Sequence, residues 1–376
     1  MPTMLPSVPK SLGRLSDVFV SALGAITGVD NRLKLKRVKR ACVILVDGLG
    51  TKNLEFRAGH APHLINALKQ GQSIHCGFPS TTATSISSFA TGAAAGLHGM
   101  VGYQVFDRHS QKPLNLLTGL GGDQPARTWQ SQSTVTEAAI EAGVPVFVVG
   151  PPEYEGSPFS EATMPSATYI GAKSFDERVS ATQKLLRTNS TALVYLYFPE
   201  LDQRAHAFGS KSVEWLEKLE DLDAAVKQLT AELPKDAGVL LTADHGIIDV
   251  RHDRQIYLDE HRDLLPGLIS VGGDPRVLFL YFESVPTENQ LEQLQTALGS
   301  RVIVAAKQRV IDAGWYGEIT ETNATRLPDV FLIANGEAAL YHRDFAKTKS
   351  MQMIGQHGAL STEELTIPLL RFAAFA

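Results

Sequence analysis

The sequence predicts an α/β protein: a three-layer sandwich around a largely parallel sheet, with an α+β cap inserted late in the chain. Three observations predict it. Continuous apolar runs at residues 41–46, 192–198 and 238–242 read as strands buried on both faces, as in parallel sheets. Stretches with helical spacing alternate with them, which implies strand–helix–strand crossovers. From Val250 to about Ala346 the pattern changes to short strands and turns, so the core is expected at 1–249 and 347–376 and the cap at 250–346.

With 376 residues, 44% of them hydrophobic and 20% charged, the chain can bury a large core. Its formal net charge of -5 argues against a general binder of nucleic-acid duplexes, which needs a cationic surface to displace counterions. The two cysteines, Cys42 and Cys76, sit in apolar runs and read as buried thiols, which fits a reducing compartment.

Residues 11–28 carry Leu12, Leu15, Val18, Leu23 and Ile26 at helical spacing. Arg14 and Asp17 interrupt the stripe, so the reading is a docked amphipathic helix rather than a signal peptide. No stretch is long and apolar enough to span a bilayer, and the expected location is cytoplasmic, without a membrane partner.

After a basic linker, the strand 41–46 runs into Asp47-Gly48-Leu49-Gly50, an acid at the carboxyl end of a buried strand, where α/β proteins place ligands. Pro62 opens a short helix that closes near Gly71, and a strand over 74–78 follows. Beyond Gly92, the glycines at 96, 99 and 102 predict a loop, in which His98 is assigned a structural role. Residues 134–142 read as a helix, 144–149 as a strand, 150–165 as a Pro/Gly/Ser-rich loop and 177–187 as a helix. The strand 192–198 leads to Asp202 and, four residues on, His206; on one helix face the two can share a cation. A helix over 212–233 carries Trp215, Leu219, Leu222, Val226 and Leu229 as its apolar stripe, and the strand after it ends in Asp244-His245-Gly246. In the cap, strands are expected at 277–282, 302–306 and 330–334 and a helix at 288–298. Gln356-His357-Gly358 follows the cap, and the run 365–375 is expected to pack back on the core.

The stretch Phe78-Pro79-Ser80-Thr81-Thr82 then Ala83–Ala90 and Thr91-Gly92 predicts a turn, a helix of small residues and a glycine stop. It sets hydroxyls at a helix N-terminus, where free backbone N–H groups and the helix dipole favour an anion and a hydroxyl can attack it. The competing reading is plain helix capping. At a helix start Thr81 and Thr82 are equivalent candidates for that hydroxyl.

Asp47, Asp202, His206, Asp244, His245 and His357 therefore gather at strand ends beside that hydroxyl cluster. Zinc accepts such a mixture of imidazole and carboxylate ligands, and two zinc ions form a clamp for in-line displacement at phosphorus.

In these motifs the chain resembles the alkaline phosphatase superfamily, most closely its nucleotide pyrophosphatase/phosphodiesterase branch. The matching pieces are Val46-Asp47-Gly48, Pro79-Ser80-Thr81-Thr82, Thr91-Gly92 with His98-Gly99, Asp202 and His206 with Gly209, Thr242 with Asp244-His245-Gly246, and His357-Gly358. The resemblance implies an alkaline-phosphatase-like fold and two zinc ions, one held by Asp202, His206 and His357, the other by Asp47, Asp244 and His245 with the nucleophile. The family's spacing to the Thr-Gly pair selects Thr82 as that nucleophile. It further implies a zinc-dependent hydrolase of phosphodiester or phosphoanhydride bonds that acts on a small phosphate-containing substrate such as a nucleotide.

Two positions depart from the family. Where its phosphodiesterases carry an asparagine that donates to a phosphoryl oxygen, this chain has Tyr103, with Gln104 beside it; either can donate. Where an aromatic often follows the nucleophile to stack on a base, this chain has Ala83, while the second stacking aromatic matches at Tyr197. Competing readings are a phosphonate hydrolase resembling phosphonoacetate hydrolase, a phosphomonoesterase, and a decayed metal- or phosphate-binding protein. A monoesterase needs a cation for the extra charge, and Arg326 and Arg343 in the cap are the candidates for it.

Overall fold

The computed structural model describes residues 5, 6, 8, 13–122 and 125–376. A seven-stranded sheet runs in the order Gln72–His75, Thr366–Ala373, Ala237–Ala243, Arg40–Val46, Ala192–Phe198, Val146–Gly150 and Thr168–Gly171. Thr366–Ala373 is antiparallel to both its neighbours, and the five strands from Ala237–Ala243 to Thr168–Gly171 pair in parallel. The three central strands are buried almost throughout, because helices cover both faces of the sheet.

Two groups of helices supply those layers. Ser16–Thr27, Thr82–Thr91 and Val135–Glu141 pack with one another, and Pro62–Leu68, Phe175–Thr188 and Val213–Ala231 form the second group. The predicted N-terminal helix is present as Ser16–Thr27, and Leu12 lies outside the described residues. Phe175–Thr188 begins at a capping box, in which the Ser174 side chain accepts from the Glu177 backbone and Glu177 returns the bond to Ser174 N–H.

The structure corrects several expectations about local elements. The run 365–375, expected only to pack back on the core, does so as the strand Thr366–Ala373 of the central sheet, inserted between Gln72–His75 and Ala237–Ala243. The strand expected over 74–78 covers Gln72–His75, and the chain then leaves the sheet toward the hydroxyl cluster. The predicted loop at 150–165 contains a helix, Pro158–Thr163, capped by the Ser157 side chain on Ser160 N–H, and the glycine-rich loop contains the short helix Ala95–His98.

A second, antiparallel sheet runs in the order Leu268–Asp274, Val277–Phe282, Val330–Ala334 and Val302–Ala306. Successive side chains on a strand point to opposite faces, and both faces here are covered. Val277, Phe279 and Tyr281 join the main core. Leu278, Leu280 and Phe282 meet Leu291, Leu294 and Leu298 of the helix Glu288–Leu298 in a separate cluster. That double burial explains why 277–282 reads as an unbroken apolar run in sequence.

Candidate active site

Register brings the site together. Val46 lies opposite both Phe198 and Ala243, so the three central strands end level with one another. Asp47 follows the first strand directly and Asp244 the third, while the second runs into the helix Glu200–Phe208, which carries Asp202 and His206 one turn apart. The backbone ties the ends to one another: Asp47 N–H donates to Phe198 O at 2.9 Å, and Gly48 N–H to Asp244 Oδ1 at 3.1 Å.

Two groups of side chains result, Asp202 with His206 and His357, and Asp47 with Asp244 and His245. Within each, the potential ligand atoms lie within 4.8 Å of one another. The two groups adjoin through the rings of His245 and His357, stacked at 3.8 Å.

All three imidazoles are oriented from behind. Nδ1 of His206 faces Gly355 O at 2.8 Å, Nδ1 of His357 faces Ser80 O at 2.9 Å, and Nδ1 of His245 faces Gly246 O at 3.1 Å. A carbonyl only accepts, so each Nδ1 carries a proton and each Nε2 is the ring atom turned toward the cluster, the orientation a metal ligand needs. On the carboxylates, Asp47 Oδ1, Asp202 Oδ1 and Asp244 Oδ2 are buried without a hydrogen-bond partner. Orphaned buried acceptors converging with three imidazole Nε2 atoms are unfavourable alone and are the donor set of a divalent cation. The residues present therefore fit two metal ions.

The electrostatics agree. Burial pushes the Asp47 carboxyl well above its ordinary range, and the nearby charges of Asp244 and Asp202 push it further. Burial also raises Asp244, although His245 opposes the shift. For Asp202 burial works against the charge, but the His206 imidazolium outweighs it and holds the carboxyl below its usual range. His206 is raised to about 9, burial notwithstanding, by Asp202 at 3.2 Å. His357 falls well below its usual value through burial and the neighbouring His245. Negative charge compressed into a buried space in this way is relieved by a cation placed among the acids.

The hydroxyl cluster sits at the start of the helix Thr82–Thr91 and does not cap it. Thr81 occupies the N-cap position with no side-chain cap bond. The Ser80 hydroxyl donates to Ala359 O and accepts from Gly358 N–H, which ties the His357 loop to the helix start. The Thr81 hydroxyl donates to Asp274 Oδ1 at 3.4 Å, and Thr82 Oγ1 lies 3.2 Å from His245 Nε2. Thr82 thus stands beside the Asp47 group, and Thr81 faces away from it toward the small sheet.

These residues open on a cavity of about 1060 Å³ whose lining includes Asp47, Thr82, Asp202, His206 and His357. Tyr103 lines it as well, and burial raises its hydroxyl above the ordinary range. Gln104 is not among the lining residues; it starts the strand Gln104–Asp107, paired with Asn115. The Tyr197 hydroxyl donates to Asp47 Oδ2, so this tyrosine orients a potential ligand as well as walling the cavity. Tyr154 joins it at 5.9 Å between ring centroids, from the loop 150–165. Ala83 is buried and contributes no aromatic face.

His98 is buried, bonded to Ser88 Oγ at 2.9 Å and accepting from Met100 N–H, so it serves the loop. Neither cap arginine lines the cavity. Arg326 donates to Trp129 O and Gly99 O and lies 4.2 Å over the Trp129 ring, while Arg343 pairs with Asp259 and Glu260. The small sheet contributes an acid to the site instead. Asp274, at the end of Leu268–Asp274, is buried in the cavity wall with Oδ2 unpartnered, and burial raises its carboxyl to about 8. In sequence Gly272-Gly273-Asp274-Pro275 reads as a turn, with no signal that separates this aspartate from others in turns.

The comparisons with known proteins agree with this geometry. Human bis(5'-adenosyl)-triphosphatase ENPP4 is 25% identical over 264 residues, 63% of this chain and 53% of the relative; its counterpart from Bos taurus is 23% identical over 262 residues. The chain thus spans about half the length of the curated relatives it matches. Among solved structures, murine ectonucleotide pyrophosphatase/phosphodiesterase 5 superposes with a TM-score of 0.67 at 20% identity, over 88% of this chain and 87% of the other, which shows a shared fold. The same murine protein is also known as an inactive variant in complex with AMP. The family model of type I phosphodiesterase / nucleotide pyrophosphatase matches residues 41–360, from the first central strand to just beyond His357. On that match and the strand-end architecture, the chain belongs to the type I phosphodiesterase / nucleotide pyrophosphatase family.

Proposed function

We propose that the protein is a zinc-dependent hydrolase of phosphodiester or phosphoanhydride bonds with Thr82 as nucleophile. The observation that carries this reading is the Thr82 hydroxyl at a helix N-terminus, 3.2 Å from His245 Nε2 and beside two adjoining groups fit for metal ions. Asp202, His206 and His357 would hold one zinc, and Asp47, Asp244 and His245 the other together with Thr82. Bound there, the ions would lower the pKa of the nucleophile and neutralise charge at phosphorus.

The chain's own residues do the rest. The helix start aims free backbone N–H groups at the phosphate, and Thr82 Oγ attacks phosphorus as the bond to the leaving oxygen breaks. Water then cleaves the phosphothreonine ester and regenerates the hydroxyl. From the cavity wall the Tyr103 hydroxyl would donate to a phosphoryl oxygen, and Tyr154 with Tyr197 would give the substrate an aromatic wall. The names of the relatives, a bis(5'-adenosyl)-triphosphatase and a phosphodiesterase studied with AMP, support a nucleotide or other small phosphodiester as substrate. We assign the core to 1–249 and 347–376 and the cap to 250–346. The cytoplasmic setting rests on the two free, buried thiols.

The test uses the purified full chain, its metal content and its turnover of bis-nitrophenyl phosphate, a nitrophenyl monoester and a phosphonate side by side. We expect about two zinc ions per chain, loss of turnover on chelation, and the diester as best substrate by kcat/KM. Full activity in metal-free protein would end the zinc reading. A better monoester or phosphonate would move the assignment to another phosphate ester or to phosphonates.

A further inference from the structure

The cavity wall holds a buried carboxyl that neither metal group uses. Asp274 is 6% exposed; its Oδ1 accepts from the Thr81 hydroxyl at 3.4 Å, and its Oδ2 has no partner. An unpaired buried carboxyl oxygen is costly, and few persist without a ligand or a role.

Its position is held with care. Asp274 and Val277 pair across a tight hairpin whose turn is Pro275 and Arg276. Gly273 before it takes φ +81°, and a Cβ there would lie 2.0 Å from Val277 O, so only glycine fits. Arg276 is fully buried, with Nε and Nη2 on the two carboxylate oxygens of Glu364 at 3.1 and 2.8 Å. Glu364 also accepts from Ala359 N–H at 2.9 Å, two residues after His357. A bidentate, fully desolvated pair therefore locks the hairpin tip to the His357 segment and sets Asp274 beside the hydroxyl cluster.

We propose that Asp274 is a further catalytic residue: its Oδ2 donates a hydrogen bond to a non-bridging oxygen of the phosphate bound at Thr82. The inference rests on the phosphate-hydrolase reading above. Oδ1 is occupied by a donor, so Oδ2 is the oxygen left to carry the proton. Burial in the cavity wall and the nearby Glu364 charge favour retaining it, against the Thr81 hydrogen bond and His206. A carboxylic acid kept neutral in such a place can donate to an oxygen as its negative charge grows in the transition state. No covalent step is assigned to it.

The test compares Asp274→Ala, Asp274→Asn and Thr81→Ala with the wild type, all zinc-loaded. The readouts are kcat and KM on a diester, inhibition by inorganic vanadate, metal content and thermal unfolding. Asparagine keeps a donor at the same place and alanine removes it. We expect Asp274→Ala to lower kcat about a hundredfold and weaken vanadate inhibition in parallel, while Asp274→Asn loses less than about tenfold. Thr81→Ala should also stay within about tenfold, since it removes only the bond to Oδ1. An Asp274→Asn protein that is folded and metal-loaded yet as impaired as Asp274→Ala would overturn the proposal, as would a Thr81→Ala loss equal to that of Asp274→Ala or an Asp274→Ala loss under about threefold. Failure of the wild type on every phosphate ester would instead bring down the hydrolase reading, and this inference with it.

Discussion

The carboxyl ends of the central strands and the tip of the 268–282 hairpin reach the same cavity by opposite routes. The strands deliver Asp47 and Asp244 directly, because three parallel strands in register end level and the next residue of each must face the crevice beyond them. The hairpin delivers Asp274 only because its tip is bolted down by Glu364, a residue 88 positions away in the chain. The first region writes its function locally, as an acid after an apolar run. The second writes it in a contact between distant segments, and its acid looks like an ordinary turn residue.

The sharpest way to break that comparison is at the helix start the two regions share, where adjacent threonine hydroxyls face opposite ways. Thr82→Ala should remove turnover by roughly a thousandfold or more, as loss of a nucleophile does. Thr81→Ala in the same assay should stay within about tenfold of the wild type. A dead Thr81→Ala protein with an active Thr82→Ala would show that the hydroxyl on the hairpin side, rather than the strand side, does the chemistry.

On the hairpin side, Glu364→Gln would leave the Arg276 guanidinium buried without its counter-charge. Breaking a pair of this kind costs about 3–5 kcal/mol, so the melting temperature should drop clearly while the folded fraction still binds metal. Burial opposes the Glu364 charge, but Arg276 outweighs it and holds the carboxyl below its ordinary range. The stabilisation is therefore complete above the ordinary carboxyl range and is lost as pH falls through the folded value. Wild type and Glu364→Gln should then converge in stability toward acid. An unchanged melting temperature at neutral pH would mean that the pair does not hold the hairpin.

The smallest effect is expected farther out on the small sheet. The Thr287 side chain accepts from Gln290 N–H at the start of the helix that covers the outer face of that sheet. Thr287→Ala should cost about 1 kcal/mol of stability and leave kcat unchanged. A fall in kcat beyond twofold, measured on folded protein, would show that the outer face of the small sheet communicates with the site.

By itself the sequence determined the parallel-sheet core, the strands that end in acids and the residues that bear ligand atoms. Each depends on short-range patterns: an apolar run buried on both faces, an acid at its end, a histidine one helical turn after an aspartate. The family pattern then set the order of the motifs from Asp47 to His357. Tertiary structure decided what no local pattern encodes. It made the C-terminal run an antiparallel strand of the main sheet, since an apolar stretch of that length is compatible with either helix or strand until a partner edge is offered. It turned the Tyr197 hydroxyl onto Asp47 and left Gln104, Arg326 and Arg343 off the cavity wall. It also brought Asp274 beside Thr81. A side chain's partner across a cavity is fixed by the packing of segments hundreds of residues apart, and that packing is a property of the whole core rather than of any stretch within it.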